Sequence, residues 1–84
     1  MTYRLEIKAA AEKQMRHLSA NVFANVNRRI LALQGDPRPQ GVKKLVGGLG
    51  WRIRIGDWRV VYEIDDEHKT VTIVAVKPRQ SAYD

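Results

Sequence analysis

The sequence contains no cysteine and no long apolar run, and these two absences exclude several classes of protein. Without cysteine the chain forms neither disulfides nor thiolate metal sites. No apolar stretch approaches the roughly 20 residues of a membrane-spanning helix. The first residues, Met1–Ile7, also lack the apolar core of a secretory signal. We therefore expect a cytoplasmic protein that does not associate with a membrane and folds as one domain over residues 1–84.

Residues for metal, phosphate-loop and nucleophile chemistry are equally scarce. The two histidines, His17 and His68, fall in different predicted elements with no cysteine beside either. The glycine-rich run 47–50 lacks the Lys-Ser/Thr ending of a phosphate loop and precedes a strand, so it predicts a flexible turn. No serine or threonine has the setting of a nucleophile, and no pair of carboxylates stands out. We expect neither a metal nor a cofactor, which leaves arginine, lysine and tyrosine to carry any chemistry.

Acidic residues are outnumbered, since 15 lysines and arginines face 9 aspartates and glutamates, for a net charge of +6. The excess is segregated along the chain. One acid, Asp57, accompanies the basic residues of the segment 38–59, which are Arg38, Lys43, Lys44, Arg52, Arg54 and Arg59. The acids Asp65, Asp66 and Glu67 cluster in a later turn. Although a positive excess alone can serve solubility, this segregation favours a polyanionic partner such as nucleic acid.

The segment 51–64, WRIRIGDWRVVYEI, predicts two strands joined by a Gly-Asp turn. Side chains alternate between the two faces of a strand. If the apolar faces of the two strands coincide, Arg52, Arg54 and Arg59 project together from the other face. A solvated sheet face explains each arginine equally well when it is taken alone, but three like charges on one face point to an anionic ligand. We expect Trp51, Trp58 and Tyr62 to serve the core rather than to stack on bases.

The remaining pattern predicts an α+β domain of order β-α-α-β-β-β, in which a helical hairpin packs on a small, mostly antiparallel four-stranded sheet. A first strand covers 2–8, where apolar and polar residues alternate. Helices cover 9–18 and about 20–34, the second capped by Ser19 or Asn21. A loop spans 37–50. The apolar, β-branched run 70–76 indicates a strand that is central in the sheet or covered on both faces.

Arginine stays protonated at physiological pH, so it can hold a phosphate and stabilise negative charge but cannot accept a proton. Tyr83 can accept a proton only if nearby cations lower its pKa from about 10. Such an arrangement suits cleavage of RNA by its own 2'-hydroxyl group, a reaction that needs no metal.

Three segments together resemble the RelE family of toxins, in the RelE/ParE superfamily of toxin–antitoxin systems. They are Lys44-Leu45-Val46-Gly47, then the segment 51–64, then the last strand with its ending Lys-Pro-Arg-x-x-Ala-Tyr over 77–83. This ending looks like that of the short, archaeal-type members, and the resemblance covers essentially the whole chain.

The resemblance implies a toxin that enters the ribosomal A site and cuts mRNA there, leaving a 2',3'-cyclic phosphate. The family's active surface maps onto Arg52, Arg54, Arg59, Arg79 and Tyr83. Contacts to ribosomal RNA are expected from Arg38, Lys43, Lys44 and Lys77. The best-known members have lysine at the positions of Arg52 and Arg54. Because arginine cannot accept a proton, either Tyr83 transfers the proton or catalysis depends on charge stabilisation alone.

The family also implies a RelB-like antitoxin, acidic or amphipathic, that folds on a monomeric toxin and forms a hetero-oligomer with it. An apolar groove beside the helical hairpin and the arginine-bearing sheet face are the expected docking surface. Two other functions remain open, because fold alone does not choose among them. One is a ParE-like toxin that inhibits DNA gyrase by binding, and the other is a homologue that binds RNA without cutting it.

Overall fold

A computed structural model describes residues 2–78 of the chain. The elements are β1 (Arg4–Ile7), α1 (Ala9–Arg16), α2 (Ala20–Ala32), β2 (Lys43–Lys44), a short 3-10 helix (Val46–Gly48), β3 (Trp51–Ile55), β4 (Trp58–Asp65) and β5 (Thr70–Pro78). The sheet order is β1-β5-β4-β3-β2, and only the β1–β5 pair is parallel. The α+β class and the mostly antiparallel sheet are therefore confirmed.

The sheet has five strands rather than the predicted four, because Lys43–Lys44 forms a short edge strand within the segment predicted as a loop. Lys43 lies opposite Arg52, and Lys44 lies opposite Trp51. Two consecutive lysines, flanked by Val42 and Leu45, show no alternation of apolar and polar residues, so nothing local signals a strand. The pairing comes from β3, which offers an unpaired edge.

The helices begin where predicted and end about two residues earlier, at Arg16 and Ala32. Ser19 is the N-cap of α2, and its hydroxyl accepts a hydrogen bond from the Val22 amide at 3.4 Å. At the end of α2, i→i−3 bonds such as that from the Gly35 amide to the Ala32 carbonyl tighten the last turn. No helix in the described range is long and apolar enough to cross a membrane.

The core lies between the helices and one face of the sheet. Its buried members come from α1, from α2 and the residue that follows it, and from the three longest strands: Ala11, Met15, Val26, Ile30, Leu33, Ile53, Ile55, Val60, Tyr62, Val71, Ile73 and Val76. Trp51 and Trp58 are half-buried against this cluster, which confirms their predicted role. The Tyr62 hydroxyl is satisfied inside the core because it donates to the Pro37 carbonyl at 2.7 Å.

The position of β5 explains its continuous apolar sequence. This strand lies between β1 and β4, as predicted for a central strand. Its register against β4 shifts by one residue, since Val61 faces Ala75 whereas Tyr62 faces Ile73, which leaves Val74 as a bulge. Beyond the end of β1, the Val76 amide donates to the side chain of Gln14 in α1 at 2.7 Å. A helix side chain therefore closes the part of the β5 edge that β1 does not cover.

Candidate nucleic-acid interface

Three strands contribute basic side chains to one row across the sheet. Arg54 lies directly opposite Arg59, and Arg59 lies directly opposite Lys77. Residues that face each other across paired strands project from the same side of a sheet. We call Arg54, Arg59 and Lys77 the terminal row.

A second basic row lies one step along the strands. Lys43, Arg52, Val61 and Ala75 face each other in turn across β2, β3, β4 and β5, and we call them the central row. Arg52 is only 6% exposed, whereas Arg54 is exposed. Within residues 2–78 the buried Nε of Arg52 has no hydrogen-bond partner. The two rows together form a surface that we call the arginine face.

The opposite side of the same strands faces the helices. Ile53 pairs with Val60 and Ile55 pairs with Trp58, so the apolar faces of β3 and β4 coincide. This register confirms the expectation that Arg52, Arg54 and Arg59 project together away from the core. The apolar packing on one side fixes which side chains appear on the other, because a slip of one residue would exchange the faces.

The arginine face becomes acidic toward its other end. The next row beyond Arg52 and Val61 contains Glu63, which faces Thr72, and Thr72 in turn faces Glu6 on β1. Like charges directly opposite each other on a sheet destabilise it. The basic rows and the acidic row lie at opposite ends of the same face.

Arg38 and Lys44 do not lie on the arginine face. The Arg38 guanidinium forms a fork on Asp66, with Nη1 to Oδ1 at 3.3 Å and Nη2 to Oδ2 at 2.8 Å. It also covers the Trp51 ring, 4.9 Å from the ring centre, and the Lys44 ammonium lies 5.8 Å from the same centre. The pairing of Lys44 with Trp51 places this group on the side of the sheet opposite Arg52.

Of the three tyrosines, two are placed where they cannot accept a proton near neutral pH. The hydrogen bond that Tyr3 donates to Asp66 raises the pKa of Tyr3, and burial raises the pKa of Tyr62 to about 12. The hydrogen bonds that Asp66 accepts, from Arg38 above all and also from Tyr3, lower the pKa of Asp66 to about 2. Arg79 and Tyr83 lie outside the described residues, so their assignment to the active surface stays a prediction.

Two further predictions concern a metal site and the glycine-rich run 47–50. Among the described residues, no three histidine, aspartate or glutamate side chains are grouped so as to hold a metal ion. His68 faces Asp65, with Nδ1 2.9 Å from Oδ2, and His17 ends α1. The first two residues of the glycine-rich run belong to the short 3-10 helix, which leads into β3, and this segment exposes the apolar residues Val46 and Leu49.

A small apolar groove lies beside the helical hairpin, as expected. Its volume is about 280 Å³, and Ile7, Met15 and Phe23 supply its apolar walls. Ile7 and Phe23 are 37% and 40% exposed. A larger open cavity of about 760 Å³ lies at the C-terminal end of β4, lined by Glu6, Glu63 and Asp66 together with Arg38 and Lys44. No member of either basic row lines this larger cavity.

Comparison with known proteins identifies the fold. Residues 5–83 match the family model described as the ParE toxin of the type II toxin–antitoxin system parDE. No curated protein matches the chain in sequence.

Three solved structures are similar over nearly the whole chain. The archaeal RelE–RelB complex from Pyrococcus horikoshii OT3 contains a chain 31% identical, with a TM-score of 0.85, covering 98% of this chain and 100% of that one. The toxin–antitoxin complex RelBE2 from Mycobacterium tuberculosis gives 28% identity, a TM-score of 0.83 and coverage of 94% and 100%. A mutant of Escherichia coli RelE in the free state gives 25% identity, a TM-score of 0.81 and coverage of 98% and 88%.

The match over residues 5–83 and the RelE-like structure agree with the motifs of the arginine strands. The chain therefore belongs to the ParE toxin family of type II toxin–antitoxin systems, within the RelE/ParE superfamily.

Proposed function

We propose that this toxin is a ribosome-dependent mRNA endoribonuclease that stops translation by cutting mRNA in the A site. The terminal row carries the proposal, because three strands bring Arg54, Arg59 and Lys77 to one place on a rigid sheet. A cationic surface of this kind binds the phosphate backbone. Because ribosomes and mRNA are its targets, the proposed location is the cytoplasm.

The proposed reaction is attack of the 2'-hydroxyl oxygen on the adjacent phosphorus, with the 5'-oxygen of the next nucleotide leaving. A new bond forms between the 2'-oxygen and phosphorus as the bond to the 5'-oxygen breaks, which gives a 2',3'-cyclic phosphate and a 5'-hydroxyl end. Arg54 and Arg59 hold the non-bridging oxygens and stabilise the charge that grows on them. The proposed acceptor of the 2'-hydroxyl proton is Tyr83 in its phenolate form, water supplies a proton to the leaving 5'-oxygen, and Arg79 is the proposed further cation at the phosphate.

We also propose an antitoxin partner of the RelB kind. The similar structures from Pyrococcus horikoshii and Mycobacterium tuberculosis are toxin–antitoxin complexes. The basic face and the apolar groove at Ile7 and Phe23 suit a partner that is acidic and amphipathic. Arg38 and Lys44 are engaged with Asp66 and Trp51, so we assign them to the stability of the fold rather than to RNA.

The test is to incubate the toxin with programmed ribosomes and labelled mRNA and to map the RNA ends. We expect cleavage within the A-site codon only when ribosomes are present, and a fall of at least about 100-fold for Arg59→Ala, since one positioned charge on the transition state contributes about 3 kcal/mol. Arg28→Ala is the matched control, because Arg28 is an exposed arginine on α2. Equal loss in both variants, or cleavage of free mRNA, would contradict the proposal.

A ParE-like activity is the second candidate, because the matching family model is that of a ParE toxin. On this alternative the arginine face binds without chemistry. Inhibition of gyrase-catalysed supercoiling together with intact mRNA on ribosomes would favour it. If Arg59→Ala abolished binding to ribosomes and neither activity were present, a non-cleaving RNA-binding homologue would remain.

A further inference from the structure

Two rows of cations, rather than one cluster, make up the arginine face. The central row contributes Lys43 and Arg52, and the terminal row contributes Arg54, Arg59 and Lys77. Arg52 and Arg54 are two residues apart on β3, so the rows are separated by about 7 Å. This separation is comparable with the distance between successive phosphates of an extended single strand.

The central row has the character of an anion site in its own right. Arg52 is 6% exposed, and its buried Nε has no hydrogen-bond partner within residues 2–78. A guanidinium cannot lose its proton to relieve this situation. Lys43, directly opposite, adds a second positive charge from the edge strand. A phosphate at this row would bind the exposed Lys43 ammonium and lie beside the buried Arg52 guanidinium, and its charge would offset both cations.

The charges beyond the central row limit how many phosphates the face can hold. The next row contains Glu63 and, across Thr72, Glu6. Carboxylates there repel a third phosphate, so a bound strand leaves the sheet after the central row. The face is therefore matched to two phosphates and not to a longer tract of backbone.

We propose that the arginine face binds two successive phosphates of one RNA strand, the reacting phosphate at the terminal row and its neighbour at Lys43 and Arg52. Lys43 is then a positioning residue that sets the register of the strand and takes no part in the chemistry. The inference rests on the proposed function for the identity of the strand as RNA.

Lys43 and Lys44 provide a matched pair for the test. Both are exposed lysines on β2, but Lys43 faces Arg52 whereas Lys44 faces Trp51 on the other side of the sheet. The probe is a trinucleotide with 2'-O-methyl groups, which block cleavage, and with two phosphodiester linkages. Its affinity for the free toxin is measured by NMR titration over a range of salt concentrations, and circular dichroism checks that each variant is folded.

We expect Lys43→Gln to weaken binding about 3- to 10-fold at low salt and to reduce the slope of log K against log salt by about 0.7, as the loss of one contact with a single strand should. Lys44→Gln should leave both quantities unchanged. Probes that carry an uncharged methylphosphonate at one linkage give the decisive comparison. Neutralising the linkage at the central row should abolish the effect of Lys43→Gln, and neutralising the other should preserve it.

Equal effects of Lys43→Gln and Lys44→Gln would overturn the inference, because they would show a diffuse electrostatic contribution. It would also be overturned if the effect of Lys43→Gln persisted whichever linkage was neutral. The measurement uses neither ribosomes nor a cleavable bond. A failure to cut mRNA on ribosomes therefore counts against the proposed function alone. A Lys43→Gln effect that does not depend on which linkage is neutral counts against the two-phosphate site alone.

Discussion

At the scale of single residues, the same side chain has different consequences at neighbouring positions. Arg52 and Arg54 project from the same face of β3, yet only Arg52 is buried; it lies between Lys43 and Val61 of the two neighbouring strands. Arg54 lies nearer the turn that joins β3 to β4. A buried guanidinium needs fixed partners or a bound anion, since its charge persists at every physiological pH. Arg52 therefore needs a fixed partner or a bound anion more than Arg54 does.

At Gly50 the backbone conformation and a close neighbouring carbonyl both favour glycine over any other residue. Its φ of +97° is one that other residues rarely adopt, and a Cβ there would lie 2.5 Å from the Tyr62 carbonyl oxygen. We expect Gly50→Ala to lower the free energy of unfolding by about 2–4 kcal/mol, because it combines backbone strain with a steric clash.

Gly48→Ala is the control for this prediction. Gly48 has a φ of +73°, but a Cβ there would meet nothing within 4 Å. Gly48→Ala should lower the free energy of unfolding by about 1–2 kcal/mol, which is the cost of the backbone conformation alone. Urea unfolding curves for both variants provide the measurement. Equal losses would show that the approach of Gly50 to Tyr62 is not important for stability.

At the scale of secondary-structure elements, short strands depend on their neighbours. β2 has two residues and exists because β3 offers it hydrogen bonds, and β1 covers only the first four residues of β5. α1 compensates for this short coverage through Gln14, whose side-chain oxygen accepts from the Val76 amide. The helix is thus tied to the strand that leads toward Lys77 and the terminal row.

Replacement of Gln14 tests this connection between α1 and β5. Gln14→Met keeps the approximate volume of the side chain but leaves a partly buried amide without its acceptor, so we expect a loss of about 1–3 kcal/mol of unfolding free energy. Gln14→Glu retains the acceptor and should cost less. Hydrogen exchange at the Val76 amide should accelerate in the methionine variant. Unchanged exchange there would contradict the proposed role of the hydrogen bond.

At the scale of the whole molecule, the two sides of the sheet have separate tasks. The helices and the apolar face make the core, and the arginine face carries the basic residues of β3, β4 and β5. A chain with a net charge of +6 also repels itself, so an acidic partner lowers the energy of the folded toxin. The exposed groove at Ile7 and Phe23 gives such a partner an apolar contact on the other side of the fold.

We expect the antitoxin to raise the melting temperature of the toxin strongly, because a ligand at about 1,000 times its Kd adds about 4 kcal/mol to stability. Phe23→Ala should weaken the complex about 10-fold, while it changes the melting temperature of the free toxin little because Phe23 is already 40% exposed.

Leu49→Ala is the control for this prediction, since Leu49 is an exposed apolar residue far along the chain from the groove. Calorimetry of the toxin with and without its partner, and titration of each variant, provide the data. An unchanged melting temperature in the complex would show that the partner adds no stability. Equal affinities of the two variants would exclude the groove from the interface.

The sequence by itself determined the arrangement of the arginine strands. Alternation over 51–64 has a period of two, so Arg52, Arg54 and Arg59 project together from the other side once the apolar faces of the two strands coincide. The two helices, a cap at Ser19 or Asn21, and a last strand that is central or covered on both faces followed from equally local patterns. These features depend on neighbours in the chain, which is why they could be read without coordinates.

Only the tertiary structure decided which basic residues join that face. Lys43 and Lys44 are adjacent and chemically identical, and the pairing of β2 with β3 alone sends one to Arg52 and the other to Trp51. The sequence likewise did not show which group Arg38 contacts. The structure pairs its guanidinium with Asp66, 28 residues away. Long-range pairing of this kind carries no local periodicity, since it results from the closure of loops and the register of strands that meet only when the core forms.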